Sequence, residues 1–82
     1  MAAMPTFFFH IRGAGIEAED YIGMDLRDVE AARDEAVRAA RDIMMDEIQA
    51  GRLSLRRRID VEDQDQRPVF SLPFGEAIEL ES

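Results

Sequence analysis

Four short segments of the chain have the residues of β-strands: the first is a run of aromatic and β-branched residues, and in the second and third apolar and polar residues alternate. Alternation of this kind is typical of β-strands, because successive side chains of a strand point to opposite faces. The four segments are residues 6–12, 16–21, 59–62 and 69–74. Glycines at positions 13 and 15 predict a turn between the first two segments. Pro68 and Pro73 bound the last segment and favour a strand at the edge of a sheet.

The first segment is apolar at the start of both its faces. Its two sets of side chains are Phe7, Phe9 and Ile11 on one side and Phe8, His10 and Arg12 on the other. An exposed phenylalanine in the middle of a sheet is unusual for a monomeric protein. We therefore expect the face that carries Phe8 to be covered by something.

Residues 29–50 follow the 3.6-residue period of a helix. The apolar side chains at three- and four-residue spacing are Val29, Ala32, Ala36, Ala40, Ile43 and Met44. Asp28 is placed to cap the start of this helix, and Gly51 is placed to end it in the left-handed conformation. Such a helix spans about 33 Å, whereas a six-residue strand spans only ~20 Å. We therefore expect its C-terminal end to overhang the sheet and to expose Met45 and Ile48.

The order of these elements, β-β-α-β-β, predicts an α+β fold. A right-handed crossover through the helix would give a four-stranded antiparallel sheet of order 2-1-3-4, with the helix on one face and the other face open. A chain of 82 residues has the size of one domain. We expect this domain to cover residues 6–80, after a disordered N-terminal extension at residues 1–5.

The charge of the chain argues against several kinds of partner. With 18 acidic and 10 basic residues, the net charge is −8, so the chain lacks the positive charge on which nucleic-acid binding depends. A basic protein partner would be attracted, although the charge also serves simply to keep a small protein soluble. The sequence contains no cysteine, and from its first residues and its lack of a long apolar stretch we expect neither a secretory signal nor a membrane-spanning segment. We expect a cytoplasmic protein that binds neither nucleic acid nor membrane.

No catalytic or cofactor motif is recognisable. His10 is the only histidine, and its neighbours Phe9 and Ile11 supply no partner for acid–base or metal chemistry. The acidic cluster at residues 60–65 has aspartate where a calcium loop requires glycine, so a solvated turn fits it better. The three arginines at residues 56–58 would point to both faces of a strand, which dilutes any anion-binding patch. We predict no catalytic, cofactor-binding or metal-binding residue, and we expect that the protein is not an enzyme.

Four stretches of the chain together resemble one family of short bacterial proteins. They are residues 4–12, Asp20 and Gly23 before Leu26, residues 29–36, and residues 69–74. The family is known as domain of unknown function 6894, and the resemblance extends from Met4 to about Leu80. It implies no activity and no site residues. The turn at residues 13–15 and the tail after Phe74 depart most from the family's pattern.

The two-sided first strand and the long helix predict a protein that associates with itself as a homodimer. The expected interface uses the open sheet face or the overhanging helix end. Its candidate residues are Phe8, His10, Arg12, Met45 and Ile48. The alternative is a regulatory or antitoxin-like module that masks a basic protein partner.

Overall fold

The computed structural model describes residues 4–79, which form one α-helix and five β-strands. The elements are β1 (Thr6–Gly13), β2 (Ile16–Ala18), β3 (Met24–Asp25), α1 (Val29–Gln49), β4 (Arg58–Glu62) and β5 (Pro68–Pro73), followed by a 3₁₀ turn at Phe74–Ala77. Of the predicted extension at residues 1–5, the first three residues lie outside the described part, as do residues 80–82. Pro5 is already tied to the fold, because its carbonyl accepts the N–H of Leu26 at 3.0 Å.

The strands form one antiparallel sheet in the order β2-β1-β4-β5, with β3 pairing with β1 as well. The register of β1 places Ile11 opposite Ala18 on one side and opposite Ile59 on the other. The predicted α+β class is confirmed, and the four predicted strands keep their relative order. The predicted four-stranded sheet of order 2-1-3-4 was wrong in its number of strands, because β3 pairs with β1 as a fifth strand. With only two residues, β3 is too short to show alternation in the sequence.

The second strand is also shorter than the predicted residues 16–21, because the chain leaves β1 after Ala18. Beyond Ala18, the side chain of Asp20 supplies the hydrogen-bond acceptor that a paired strand would otherwise give to β1. Its carboxylate accepts the N–H of Phe9 at 3.0 Å. A side-chain acceptor therefore closes the edge of β1 in the gap between β2 and β3.

α1 packs through a stripe of alanines on the sheet face that carries Phe7. Ala32, Ala36 and Ala40 are fully buried, and Met44 continues the stripe. The small alanine side chains leave room for the larger core residues of the sheet and the 3₁₀ turn. These are Phe7, Ile59, Val61, Leu72 and Phe74. The predicted position of the helix on one face of the sheet is confirmed, and it leaves the Phe8 face for other contacts.

Both predicted ends of α1 are confirmed. The carboxylate of Asp28 accepts the N–H of Ala31 at 2.8 Å, as a helix N-cap does. At the other end Gly51 has φ +90°, and its N–H donates to the carbonyl of Ile48 at 2.9 Å, which satisfies one of the helix's last carbonyls. Met45 and Ile48 are 60% and 59% exposed on the final turns. Within residues 4–79 no helix combines the length and the apolar character needed to cross a membrane.

Candidate functional site

The segment between β2 and β3, residues 19–23, folds back over the sheet face opposite α1, and we call it the 19–23 loop. Its shape is set by the side chain of Asp20. One carboxylate oxygen accepts the N–H of Phe9, and the other accepts the N–H groups of Ile22 at 3.0 Å and Gly23 at 3.1 Å. Burial, the largest single effect, acts to raise the pKa of Asp20, but the backbone hydrogen bonds together outweigh it and leave the pKa below its ordinary value.

Gly23 allows this loop to lie close against β1. It has φ +77°, and a Cβ atom at this position would lie 2.8 Å from Cγ2 of Thr6 and 2.9 Å from Cε1 of Phe8. Both the backbone conformation and the space therefore favour glycine. As a result the loop backbone rests on the ring of Phe8, which is half-buried.

His10 lies beneath the same loop and is only 5% exposed. Its Nδ1 accepts the N–H of Asp20 at 3.0 Å, and the same nitrogen lies 3.1 Å from Oε2 of Glu19. Its Nε2 lies 3.1 Å from Oε1 of Glu62 on β4. The sequence predicted that His10 would lie on an open face. The structure places it on that face but shows that the chain's own loop covers it.

Arg12 joins β1 to the 19–23 loop and to β4 through ion pairs on the same sheet face. Its guanidinium lies 2.7 Å from Oε1 of Glu19 and 3.0 Å from Oδ2 of Asp60. These two hydrogen bonds, with that to Glu19 the stronger effect, raise the pKa of Arg12. For Asp60 burial is the largest effect and acts to raise the pKa, but hydrogen bonds from Ser71 and from the arginines lower it overall. Of the three predicted interface residues on this face, His10 and Arg12 therefore already have polar partners within the chain.

A shallow recess of about 230 Å³ opens beside the loop. Its walls include Phe8, His10 and Glu62, and the turn between β4 and β5 contributes Gln64 and Gln66. Tyr21 also borders the recess, yet its side chain is 87% exposed, and that of the adjacent Ile22 is 90% exposed. Two large side chains therefore protrude from a loop whose backbone is held in place, directly beside a cavity.

The recess is lined by aromatic, imidazole, amide and carboxylate groups. Both ring nitrogens of His10 already have neighbours within the chain. Within the part of the chain that the structure describes, no group of three or more His, Asp or Glu side chains is placed to hold a metal ion. What the site offers a partner is an aromatic and an aliphatic anchor, a recess, and a set of hydrogen-bonding groups along its wall.

The structure brings together some of the predicted interface residues and separates the others. Phe8, His10 and Arg12 share the sheet face beneath or beside the 19–23 loop. Met45 and Ile48 lie on α1, which packs on the opposite face. The sequence interpretation missed Tyr21 and Ile22 because it assigned Tyr21 to a strand. The spacing of Asp20 and Gly23, which is typical of a turn held by an aspartate side chain, is the signal that would have placed them in a loop.

Comparison with known families places the chain beside a described family. The model of a family described as a domain of unknown function (DUF6894) matches residues 6–75, a range that runs from the start of β1 into the 3₁₀ turn. Comparison with the curated proteins and with the solved structures gave no match.

Proposed function

The chain belongs to the family described as a domain of unknown function (DUF6894), and from its own surface we propose that it is a non-enzymatic domain that self-associates as a homodimer. The 19–23 loop and the recess beside it form the proposed interface. Of the interface residues expected from the sequence, this proposal keeps Phe8 and His10, which line the recess. It adds Tyr21 and Ile22 as the anchors.

The observation that carries this proposal is the exposure of Tyr21 and Ile22 on a loop that is otherwise firmly held. The carboxylate of Asp20 fixes the backbone of Ile22 and Gly23, so the two anchors need little ordering when they bind. Large side chains presented in this way are typical of the residues that contribute most to protein interfaces.

A second copy of the chain is the occupant that fits a protrusion beside a recess. In a dimer with two-fold symmetry, the same surface is used twice, and a residue of one protomer contacts the other's matching site. If the loop of one protomer enters the recess of its partner, the partner's loop enters the first protomer's recess at the same time. The ring of Phe8 in the recess wall would then meet the anchors of the other chain.

The free energy available to this interface is modest. Burial of a large apolar side chain contributes about 1.5–3 kcal/mol, so the four anchors of a dimer would contribute roughly 6–12 kcal/mol. Loss of translational and rotational freedom opposes association by about 4–15 kcal/mol. At the favourable end of both ranges about 8 kcal/mol remains, which corresponds to a Kd of about 1 μM and sets the upper limit for the affinity of this dimer.

Sedimentation velocity on two matched variants tests the proposal. Ile22→Asp and Ile48→Asp each replace an exposed isoleucine with a carboxylate, the first on the 19–23 loop and the second at the helix end. We expect the wild type and Ile48→Asp to be dimers at tens of micromolar and Ile22→Asp to be a monomer. The reverse pattern would move the interface to the overhanging helix, and a monomeric wild type would overturn the homodimer.

One observation favours a second candidate, a regulatory module that binds a basic protein. The β4–β5 turn, which supplies Gln64 and Gln66 to the recess, also carries Asp63 and Asp65, and the whole chain has a net charge of −8. A basic partner would meet an acidic rim around the apolar anchors. Purification from the native source at low salt tests this candidate. It predicts a stoichiometric basic protein that is lost both at high salt and in the Ile22→Asp variant.

A further inference from the structure

We propose that His10 controls how the 19–23 loop begins: a neutral ring accepts the N–H of Asp20, and a ring that gains a proton gives up this bond and pairs with Glu19 instead, which loosens the chain next to Tyr21. The consequence for assembly, a homodimer that weakens on acidification, rests on the proposed function. The control of the loop itself does not, because all of the groups involved belong to one chain.

One ring nitrogen of His10, Nδ1, has two neighbours in the 19–23 loop. Nδ1 of His10 lies 3.0 Å from the backbone nitrogen of Asp20 and 3.1 Å from Oε2 of Glu19. A backbone N–H can only donate, so the bond to Asp20 requires a lone pair on Nδ1. The ring must then carry its single proton on Nε2, where it can donate to Oε1 of Glu62 at 3.1 Å.

A second proton on the ring changes Nδ1 from an acceptor into a donor. Protonated histidine has an N–H at both positions, so Nδ1 becomes a donor and faces the donor of Asp20. Glu19 is then the matching partner, because its carboxylate can accept from Nδ1. The Asp20 N–H loses its acceptor at the point where the chain turns from β2 into the loop.

Several carboxylates surround the ring of His10. Glu19 faces His10 from the chain after β2, Glu62 and Asp60 face it from β4, and Asp20 lies in the loop above it. The nearby cation on β1 is Arg12, which is shared between Glu19 and Asp60 and lies 3.9 Å from Glu62. A proton on His10 therefore adds a positive charge next to Glu19, whose carboxylate can accept from Nδ1.

The sequence provides two native probes for the test, because it contains one histidine and one tyrosine and no tryptophan. Imidazole NMR signals therefore report on His10 alone, and tyrosine fluorescence anisotropy reports on Tyr21 in the loop. In wild-type protein diluted to its monomeric form, we expect the neutral ring to carry its proton on Nε2. We also expect the anisotropy of Tyr21 to fall between about pH 8 and pH 5 with the same midpoint as the protonation of His10.

Two variants sharpen the result. His10→Asn keeps an acceptor near the position of Nδ1 but does not titrate, so it should give a flat anisotropy profile over this range. Glu19→Gln removes the carboxylate that would pair with the protonated ring, so its anisotropy should match the wild type near pH 8 and fall further than the wild type near pH 5. A neutral ring with its proton on Nδ1 would overturn the inference, and so would an anisotropy that stays constant while the wild-type histidine titrates.

Sedimentation of the wild type at tens of micromolar, near pH 8 and near pH 5.5, separates this inference from the proposed function. A dimer at the higher pH that dissociates at the lower pH, together with a fall in the anisotropy of Tyr21, supports both the role of His10 and the homodimer. A fall in the anisotropy of Tyr21 in a protein that is monomeric at both pH values supports the role of His10 and overturns the homodimer. A dimer at both pH values with an unchanged loop overturns the role of His10 and leaves the homodimer standing.

Discussion

Replacement of Asp20 by asparagine is the substitution that probes the 19–23 loop with the least change in size. The aspartate carboxylate accepts three backbone N–H groups, those of Phe9, Ile22 and Gly23. Asparagine offers one carbonyl oxygen and one NH₂ group in the same space. If its oxygen keeps the bonds to Ile22 and Gly23, its NH₂ group faces the N–H of Phe9, and that bond is lost.

The expected loss of stability follows from these contacts. An N–H group left without an acceptor costs about 1–3 kcal/mol, and the loss of the negative charge weakens the two remaining bonds. Asp20 is only partly buried, so water can compensate in part. We expect Asp20→Asn to lower the free energy of unfolding by about 2 kcal/mol. In a domain of this size that corresponds to a decrease in Tm of roughly 8–16 °C.

Urea denaturation followed by circular dichroism measures this difference at neutral pH. Asp65→Asn, at an exposed position in the β4–β5 turn, is the matched control and should stay within about 0.5 kcal/mol of the wild type. If Asp20→Asn were as stable as this control, the carboxylate would not hold the loop, and the argument for preorganised anchors would fail.

The pH dependence of the same variant gives an independent check. The pKa of Asp20 in the folded protein is below its ordinary value. Its contribution is therefore complete above the unfolded-state pKa of about 3.9 and is lost as pH falls through the folded-state value. The stability difference between the wild type and Asp20→Asn should shrink as the solution is acidified below about pH 4. A difference that stays constant down to pH 2 would contradict this linkage.

Three further substitutions test the local reasoning, each by urea denaturation. Gly23→Ala should destabilise by about 2 kcal/mol or more, since a Cβ atom would strain the positive φ and also lie within 3 Å of Thr6 and Phe8. Gly51 has φ +90°, but a Cβ atom there would meet nothing within 4 Å, so Gly51→Ala should destabilise only by the backbone strain, about 1 kcal/mol. Equal losses of stability at the two glycines would refute the close contact of Gly23 with Thr6 and Phe8. Asp28→Ala should cost about 1 kcal/mol by removing the helix cap, and an unchanged stability would show that the cap is dispensable.

The helix could be predicted in detail because the signals that define it are local. Asp28 caps the first turn, the alanine stripe repeats every four residues, and Gly51 terminates the last turn. Each of these acts within one or two turns of chain. The structure reproduces the predicted start and the predicted end to within one residue. The exposure of Met45 and Ile48 at the helix end follows from the same pattern.

The candidate site was harder to predict because long-range contacts define it. The bond from Phe9 to the carboxylate of Asp20 joins residues 11 positions apart, and the contact between His10 and Glu62 spans 52 positions. Alternation alone extends the second strand to Tyr21, whereas these contacts turn the chain out of the sheet after Ala18. The same contacts bury His10. The sequence therefore identified the correct sheet face but not the loop that covers it.

Contact between two copies of the chain is the central claim, and isotope-filtered NMR tests it most directly. A mixed sample, in which half of the chains carry ¹³C and half do not, shows only those proton contacts that pass from one protomer to the other. We expect contacts between the ring of Tyr21 in one chain and the ring of Phe8 in its partner. Intermolecular contacts confined to Met45 and Ile48, or none at all, would contradict it.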